Sequence, residues 1–293
     1  MCYFGDISQN KWEIYVQELS EYLKSNLVKY NKEGYMIGLS GGIDSAVSAA
    51  LAVHAVGESH VKCMILPDQD SDSSTVNDAK KVAKHLGIRN VKIEDITEKL
   101  SVFGTYSLFK EFYRIPKNQR TDYIKNQKLS NALEGTDNRL RKIQALWASK
   151  IRMRMMTLYF QAEFDNLMVL GTTNRTEYKL GWFTKYGDSA VDLEILINLP
   201  KTRVFELAKI LKLPQFIINK EPSADIIPGI GDKNLGISYR VLDCIIYGLE
   251  NNIKVEKLAK ELTVPTETVN KVQKLMSNSE MKRIVPLFFE GIK

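Results

Sequence analysis

The chain has 293 residues, of which 44% are hydrophobic and 26% charged, and its formal net charge is +6. This composition suits a globular protein with one sizeable core, and no apolar stretch approaches the ~20 residues of a membrane helix. The positive charge favours an anionic ligand such as a nucleotide, whereas no run of Lys and Arg is dense enough to indicate a nucleic acid.

The cysteines and the N terminus indicate a reducing compartment. Cys2, Cys63 and Cys244 lie far apart and form no Cys-x-x-Cys pair, so neither zinc nor a disulfide framework is indicated. The first residues lack the basic start and apolar run of a signal peptide. We therefore expect a cytoplasmic protein without a membrane partner.

Strands and helices alternate over the first half of the chain, and helices dominate the end. Apolar spacing predicts, in chain order, a helix over 11–30, strands over 35–39, 61–67 and 90–93, helices over 75–86 and 138–160, a fourth strand from about 166, a short strand over 193–197, and helices over 202–211, 238–249, 255–262 and 265–276. Such alternation predicts a Rossmann-like α/β fold: a doubly wound parallel sheet with flanking helices and a C-terminal helical extension.

The most informative stretch is Ser-Gly-Gly-Ile-Asp-Ser at residues 40–45, between an apolar strand and a helix. A glycine-rich turn at a helix start exposes backbone N–H groups, and Gly41 and Gly42 allow phosphate oxygens to approach closely. Asp44 would repel a phosphate unless a cation lay between them, so it implies Mg²⁺. The loop lacks the Gly-Lys-Ser/Thr ending of a Walker P-loop. A tight turn without a ligand is the alternative.

Three regions allow more than one interpretation. Residues 100–130 are predicted to form either a lid over a nucleotide or an insertion that packs on the body. In the helix that follows, Arg152 and Arg154 cannot share a face, so one is expected to point at an anionic ligand and the other to pair within the protein. The last two helices resemble a helix-turn-helix in outline, but a structural role is favoured over DNA binding.

Polar residues later in the chain also indicate a site for a metal ion or an anionic ligand. Glu177 lies in the first turn of a helix that follows a strand, and it is interpreted as a second oxygen ligand of Mg²⁺ beside Asp44. Lys201 lies at a helix N terminus, where a cation is unfavourable unless an anionic ligand is near. The loop 181–192 combines aromatic, acidic and glycine residues, which is typical of binding loops.

Four motifs together resemble the ammonia-dependent NAD synthetases, members of the N-type ATP pyrophosphatases in the adenine nucleotide alpha hydrolase-like superfamily. These are residues 40–45, Phe-Thr-Lys-Tyr-Gly-Asp at 183–188, Lys-Glu-Pro-Ser-Ala-Asp at 220–225 and Leu-Gly-Ile-Ser-Tyr at 235–239, and Lys-Arg-Ile-Val-Pro at 282–286 also fits. The first motif alone would also admit GMP synthetase, argininosuccinate synthetase and tRNA thiolation enzymes. The others narrow the resemblance to one family.

The resemblance implies an ATP-dependent carbon–nitrogen ligase. ATP would adenylate the nicotinate carboxylate of deamido-NAD with release of pyrophosphate, and ammonia would then displace AMP to give NAD. The resemblance also implies a homodimer with the dinucleotide site at the subunit interface. We expect one domain over residues 1–293 with a helical C-terminal part at 238–293. Without room for a glutaminase domain, ammonia would come free or from a separate partner.

The same resemblance assigns roles to individual residues. The ATP-binding set is Gly38, Leu39, Ser40, Gly41, Gly42, Ile43, Asp44, Ser45, Thr172, Lys201 and Ser223. Asp44 and Glu177 would bind Mg²⁺. Asp44, Lys201 and Ser223 are the expected catalytic residues, with Lys201 and Ser223 stabilising the leaving pyrophosphate. The deamido-NAD-binding set is Arg152, Lys185, Asp192 and Lys282.

Several residues depart from the family pattern, all on the deamido-NAD side. Ser189 and Ala190 replace two glycines, Ala148 replaces an Asn, and Met281 occupies a position where a His is often found. Residues 100–147 also look longer than in compact members. These departures leave two alternatives: a paralogous ligase that adenylates another carboxylate such as nicotinate mononucleotide, and a non-catalytic nucleotide sensor.

Overall fold

A four-stranded parallel sheet lies at the centre of the described residues, with the strand order β3-β2-β1-β4. The strands are β1 (Gly34–Gly38), β2 (Val61–Ile65), β3 (Val91–Ile93) and β4 (Leu167–Val169). The computed structural model describes Gly5 and residues 7–108, 110–116, 119–120, 138–220 and 237–284, without the side chains of 138–140. The parallel pairing confirms the predicted α/β class.

Helices connect the strands and extend beyond them. Their bounds are Gln9–Tyr30, Ile43–Val56, Ser73–His85, Thr97–Val102, Lys110–Arg114, Asn138–Phe164, Arg175–Leu180, Lys201–Ile210, Gln215–Ile218, Tyr239–Glu250, Val255–Leu262, Thr266–Asn278 and Glu280–Arg283, with a 3₁₀ turn at Glu58–His60. Within this part of the chain, no helix combines the length and apolar composition needed to cross a bilayer.

Both faces of the sheet are buried, as the alternating side chains of β1 show. Tyr35 and Ile37 point into a core formed with helices Gln9–Tyr30 and Ile43–Val56, whereas Met36 joins a second core with Leu158 of the long helix Asn138–Phe164. Since the sheet is covered on both sides, ligands can reach it only at its edges, and the carboxyl ends of the strands are the usual place.

The predicted strand over residues 193–197 is wrong. Leu193 forms a single parallel bridge with Leu170, and the chain then turns away. Leu196 and Leu199 both enter the core there, and their three-residue spacing is incompatible with the period of two in a strand.

The C-terminal helices form a core of their own, in which Leu242, Leu258, Val272 and Leu275 pack together with Leu180. The apolar faces of the helix pair that resembles a helix-turn-helix are therefore used for packing, which supports the structural interpretation of these helices.

The described part of the excursion after residue 100 packs on the body. Tyr113 Oη donates to Asp70 Oδ2 at 2.9 Å, and Arg120 Nη1 donates to Asp70 Oδ1 at 2.7 Å. Asp70 also accepts from Lys150 of the long helix at 2.5 Å. These contacts support the packed-insertion alternative for residues 110–116 and 119–120, while residues 117–118 and 121–137 lie outside the described part.

Candidate active site

The Ser-Gly-Gly-Ile-Asp-Ser stretch at residues 40–45, which we call the phosphate loop after its predicted ligand, connects β1 to helix Ile43–Val56 at the carboxyl end of the sheet. Gly41 has φ +75°, and a Cβ there would lie 2.3 Å from the carbonyl oxygen of Thr75, so a side chain does not fit. Gly42 is the N-cap and offers no side-chain cap to the helix. A helix start without a side-chain cap suits an anion.

Two hydroxyl groups hold the loop in shape. Ser45 Oγ accepts from the Ser40 N–H at 3.2 Å and lies 3.1 Å from Ser40 Oγ. Ser40 Oγ in turn accepts from the Gly42 N–H at 3.2 Å. The serines therefore shape the loop as well as being candidate ligand donors.

Three of the predicted site residues meet beside this loop. Lys201 Nζ forms an ion pair with Asp44 Oδ2 and lies 3.8 Å from Glu177 Oε1. The Lys201 side chain is only 4% exposed. The cation that the sequence placed at an unfavourable helix end is thus balanced by two carboxylates, which we call the Asp44–Glu177–Lys201 cluster.

Asn174 supports this cluster in two ways. It forms a capping box with Glu177, in which Glu177 N donates to Asn174 Oδ1 at 3.0 Å and Asn174 N donates to Glu177 Oε2 at 3.3 Å. Its Nδ2 donates to Asp44 Oδ1 at 2.9 Å. An Asn between a strand and the start of a helix was the available signal.

The donor set of the cluster fits Mg²⁺ bound together with phosphate oxygens. Mg²⁺ in nucleotide sites is held by one or two carboxylates, with water and phosphate completing the shell. Burial and the neighbouring Asp44 carboxylate raise the pKa of Glu177, while the Lys201 ammonium group opposes this shift. Among the described residues no group of three or more His, Cys, Asp or Glu forms a metal cluster. Phosphate oxygens and water would complete the shell around the two carboxylates.

The three basic residues predicted to bind deamido-NAD lie around one loop. Arg152 Nη2 donates to the Lys185 carbonyl at 3.1 Å, and Lys185 Nζ donates to the Met281 carbonyl at 2.9 Å. Lys282 Nζ donates to the Phe183 carbonyl at 2.9 Å. The structure therefore brings Arg152, Lys185 and Lys282 together around the loop that begins at residue 181.

Asp192 is held separately by the sheet and the long helix. Its carboxylate accepts from Val169 N at 2.7 Å and from Tyr159 Oη at 3.0 Å.

Arg154 donates to Asp68 Oδ2 at 2.8 Å and to the Leu66 carbonyl at 2.9 Å. The expectation that one of the paired arginines serves the protein is confirmed for Arg154.

Two partly buried acids near the site were not singled out from the sequence. Asp188 Oδ1 accepts from Thr184 N at 2.6 Å, and burial raises its pKa to about 6. Glu194 Oε2 accepts from Thr173 N at 3.2 Å, while its buried Oε1 has no hydrogen-bond partner. Burial raises the pKa of Glu194 to about 8.

One predicted site residue lies outside the described residues. Ser223 falls in the segment 221–236, so its contact with ATP stays a prediction. The residue that precedes this segment, Lys220, donates to the Gly41 carbonyl at 3.0 Å and to Asp78 at 2.8 Å. Lys220 therefore ties the start of the segment to the phosphate loop.

The sequence matches a known family over most of its length. The model of the NAD synthase family matches residues 15–286. The chain belongs to the NAD synthase family. Relatives include the NH₃-dependent NAD⁺ synthetase of Thermotoga maritima, 38% identical over 94% of this chain and 99% of that protein. Its counterpart in Methanocaldococcus jannaschii is 35% identical over 92% of this chain and 94% of that protein.

Solved structures of this family have the same fold. The NMN synthetase from Francisella tularensis superposes with a TM-score of 0.72 at 28% identity, over 97% of this chain and 100% of that chain. The NH₃-dependent NAD synthetase from Campylobacter jejuni superposes with a TM-score of 0.70 at 25% identity, over 95% and 99%. The predicted fold class and family are confirmed.

Proposed function

We propose that the chain amidates deamido-NAD with ammonia to give NAD and converts ATP to AMP and pyrophosphate. The observation that carries this proposal is the Asp44–Glu177–Lys201 cluster beside the phosphate loop. It combines two carboxylates for a divalent cation with a buried ammonium group next to the phosphates. Membership of the NAD synthase family, and relatives named for this reaction, support the choice of substrates.

The reaction has two balanced steps. A nicotinate carboxylate oxygen attacks the α-phosphorus of ATP, the bond to the β-phosphate bridging oxygen breaks, and pyrophosphate leaves with the electron pair. Ammonia then attacks the acyl carbon, the bond to AMP breaks, and one proton is released. Adenylation is needed because an anionic carboxylate has a poor leaving group and resists amines.

This chain's residues contribute by binding and charge stabilisation. N–H groups of the loop at 40–45 other than those of Ser40 and Gly42 would face the phosphates, and Lys201 would stabilise the negative charge that grows on the departing pyrophosphate. Thr172 and Ser223 are proposed as further ATP contacts. Asp44 and Glu177 would hold Mg²⁺, which supplies positive charge to the phosphate oxygens.

Four residues are proposed to hold deamido-NAD: Arg152, Lys185, Asp192 and Lys282. The three basic side chains suit the pyrophosphate and carboxylate of the dinucleotide. They lie around one loop, where each donates a hydrogen bond to a backbone carbonyl group. Catalysis in this scheme depends on positioning and electrostatics rather than on a nucleophilic side chain.

A homodimer is part of the proposal. Met156, Phe160 and Phe164 lie on one face of the long helix at a spacing of four residues, and they are 61%, 74% and 82% exposed. Contiguous exposed apolar side chains are typical of protein interfaces. We also place the protein in the cytoplasm, whose reducing conditions suit the buried cysteines Cys63 and Cys244, which form no disulfide.

A second candidate function is amidation of nicotinate mononucleotide. It is favoured by the TM-score of 0.72 with the NMN synthetase from Francisella tularensis. The unusual residues Ala148, Ser189 and Ala190 lie on the acceptor side, where such a change of substrate would be encoded.

A pyrophosphate-release assay tests the proposal. The protein is supplied with ATP, Mg²⁺ and ammonium, with either deamido-NAD, nicotinate mononucleotide or no acceptor. Release that depends on deamido-NAD supports the proposed function. Release that depends on the mononucleotide alone supports the second candidate, and ATP binding without release under all three conditions would support a nucleotide sensor.

A further inference from the structure

A buried carboxylate from the C-terminal helices contacts the neighbours in sequence of Glu177 and Lys201, two members of the Asp44–Glu177–Lys201 cluster. Asp243 belongs to helix Tyr239–Glu250 and is 2% exposed. Neither a sequence motif nor the proposed mechanism uses it. Burying a carboxylate is unfavourable unless its oxygens are well hydrogen-bonded, so its partners indicate what it does.

Asp243 contacts both segments that carry the cluster. Its Oδ1 accepts from Thr176 Oγ1 at 2.5 Å, and Thr176 is adjacent to Glu177. Its Oδ2 accepts from Thr202 N at 3.0 Å and from Thr202 Oγ1 at 2.8 Å, and Thr202 is adjacent to Lys201. One carboxylate thus joins the helix of Glu177 to the helix of Lys201.

The direction of these bonds extends the link to the Lys201 backbone. An ionised carboxylate only accepts hydrogen bonds, so the Thr176 hydroxyl is the donor in its hydrogen bond with Asp243. A lone pair of the same hydroxyl is then available to the Lys201 N–H, which donates to it at 2.9 Å. The chain Asp243–Thr176–Lys201 therefore has one consistent orientation.

Asp243 also replaces a missing helix cap. The N-cap of helix Lys201–Ile210 is Pro200, whose side chain provides no hydrogen bond. The first two N–H groups of that helix instead donate to Thr176 and Asp243. A negative charge at this end is favourable for the helix dipole and offsets the buried Lys201 ammonium group.

We propose that Asp243 is a positioning residue for the reaction, since it fixes the spacing between Glu177 and Lys201 from behind. The inference rests on the proposed function, because it gives Glu177 and Lys201 their roles. Asp243 does not touch the phosphates in this scheme. Its loss shifts the Mg²⁺ ligand and the pyrophosphate-stabilising cation together.

Asp243→Asn and Thr176→Val test the inference, with Thr176→Ser as the conservative variant that keeps the hydroxyl. For Asp243→Asn and Thr176→Val we expect kcat to fall about tenfold or more, and the half-saturating Mg²⁺ concentration to rise about threefold. The KM for deamido-NAD should stay within about twofold, because its proposed ligands lie on other segments. Thr176→Ser should keep kcat within about threefold of the wild type.

Ile246→Ala is the matched control for stability. Ile246 lies on the same helix as Asp243 and is buried in the C-terminal core. This variant should lower Tm but leave kcat at 25 °C unchanged. An equal loss of kcat in Ile246→Ala, or normal kcat and Mg²⁺ dependence in Asp243→Asn, would overturn the positioning role.

Calorimetric binding of ATP at several Mg²⁺ concentrations separates this inference from the proposed function. If the wild type binds MgATP but does not amidate deamido-NAD, the proposed function has failed. The positioning role is then decided by binding alone: Asp243→Asn should need about threefold more Mg²⁺ than the wild type for the same ATP affinity. An unchanged Mg²⁺ requirement would contradict it.

Discussion

The Lys201 ammonium group is ion-paired with the Asp44 carboxylate across 157 positions of sequence. The pair forms because Asp44 follows β1 and Lys201 begins a helix after the neighbouring strand β4. Asn174, which also follows β4, donates to the same carboxylate. Carboxyl ends of adjacent parallel strands meet at one edge, so distant polar residues converge there.

Asp44→Asn should abolish Mg²⁺-dependent pyrophosphate release. The amide keeps an oxygen for Asn174 but lacks the charge that a divalent cation requires, and we expect kcat to fall about 100-fold or more. Steady-state pyrophosphate release at saturating Mg²⁺ measures the change. Asp72→Asn is the matched control, because Asn caps the helix Ser73–His85 as well as Asp does. Normal turnover in Asp44→Asn would refute the metal assignment.

Lys201→Ala should lower kcat far more than ATP affinity. Lys201 is proposed to act on charge that develops only as pyrophosphate leaves, so its removal should cost about 100-fold in kcat. Calorimetric binding of ATP beside steady-state kinetics separates the two effects. Equal losses in affinity and turnover would mean that Lys201 only binds the substrate.

Glu194→Gln should change how stability depends on pH. The unfolded Glu194 titrates near pH 4.3, whereas burial raises its pKa to about 8 in the folded protein. Between these values the folded state holds an extra proton, so the wild type loses stability as pH rises from about 4.3 to 8. Glu194→Gln lacks this loss and should gain at most about 5 kcal/mol over the wild type between pH 4 and pH 8.

Urea unfolding at several pH values measures the Glu194 effect. Glu18→Gln, at an exposed position of the first helix, is the control for the loss of a carboxylate elsewhere in the chain. A difference between Glu194→Gln and the wild type that does not change with pH would contradict the raised pKa.

Asp68→Ala should destabilise the fold strongly. The Asp68 side chain is 2% exposed and accepts from Lys150 at 3.1 Å and from Arg154 at 2.8 Å. Its removal leaves the buried Lys150 with one acid fewer and should cost about 3 kcal/mol of unfolding free energy. Asp165→Ala breaks a more exposed pair with Lys62 and should cost less than about 1 kcal/mol. Equal losses in denaturant unfolding would argue against the buried network.

Phe160→Glu should convert a dimer to a monomer. Phe160 is at the centre of the exposed apolar face of the long helix, and a buried charge there without a partner would be costly. Light scattering after gel filtration gives the mass. Val28→Glu, on the exposed side of the first helix, should keep the mass of the wild type. A wild type that is already monomeric would remove the basis for the proposed interface.

The sequence predicted the parts of the site that follow from local pattern and sheet topology. The glycine-rich loop, Glu177 after β4 and Lys201 at a helix start each have a local signature, and parallel strands bring such signatures to one edge. Helical periodicity likewise separated Arg154, which pairs inside the protein, from Arg152.

Contacts that join distant segments had no local signature. Asp243 lies in an apolar helical stretch and bonds to Thr176 and Thr202, 67 and 41 positions away. Glu194 was not identified as a site residue because it lies in a segment that was predicted to be a strand. That prediction followed from Leu193 and Ile195, which are two residues apart. Tertiary packing of Leu196 overrode that pattern.

The most direct test supplies ¹⁵N-ammonium with deamido-NAD, ATP and Mg²⁺, and follows the products by mass spectrometry. The proposed function requires NAD that carries one ¹⁵N in its amide, formed in equal amounts with AMP and pyrophosphate. AMP and pyrophosphate formed without labelled NAD, or no reaction at all in a protein that binds ATP, would contradict it.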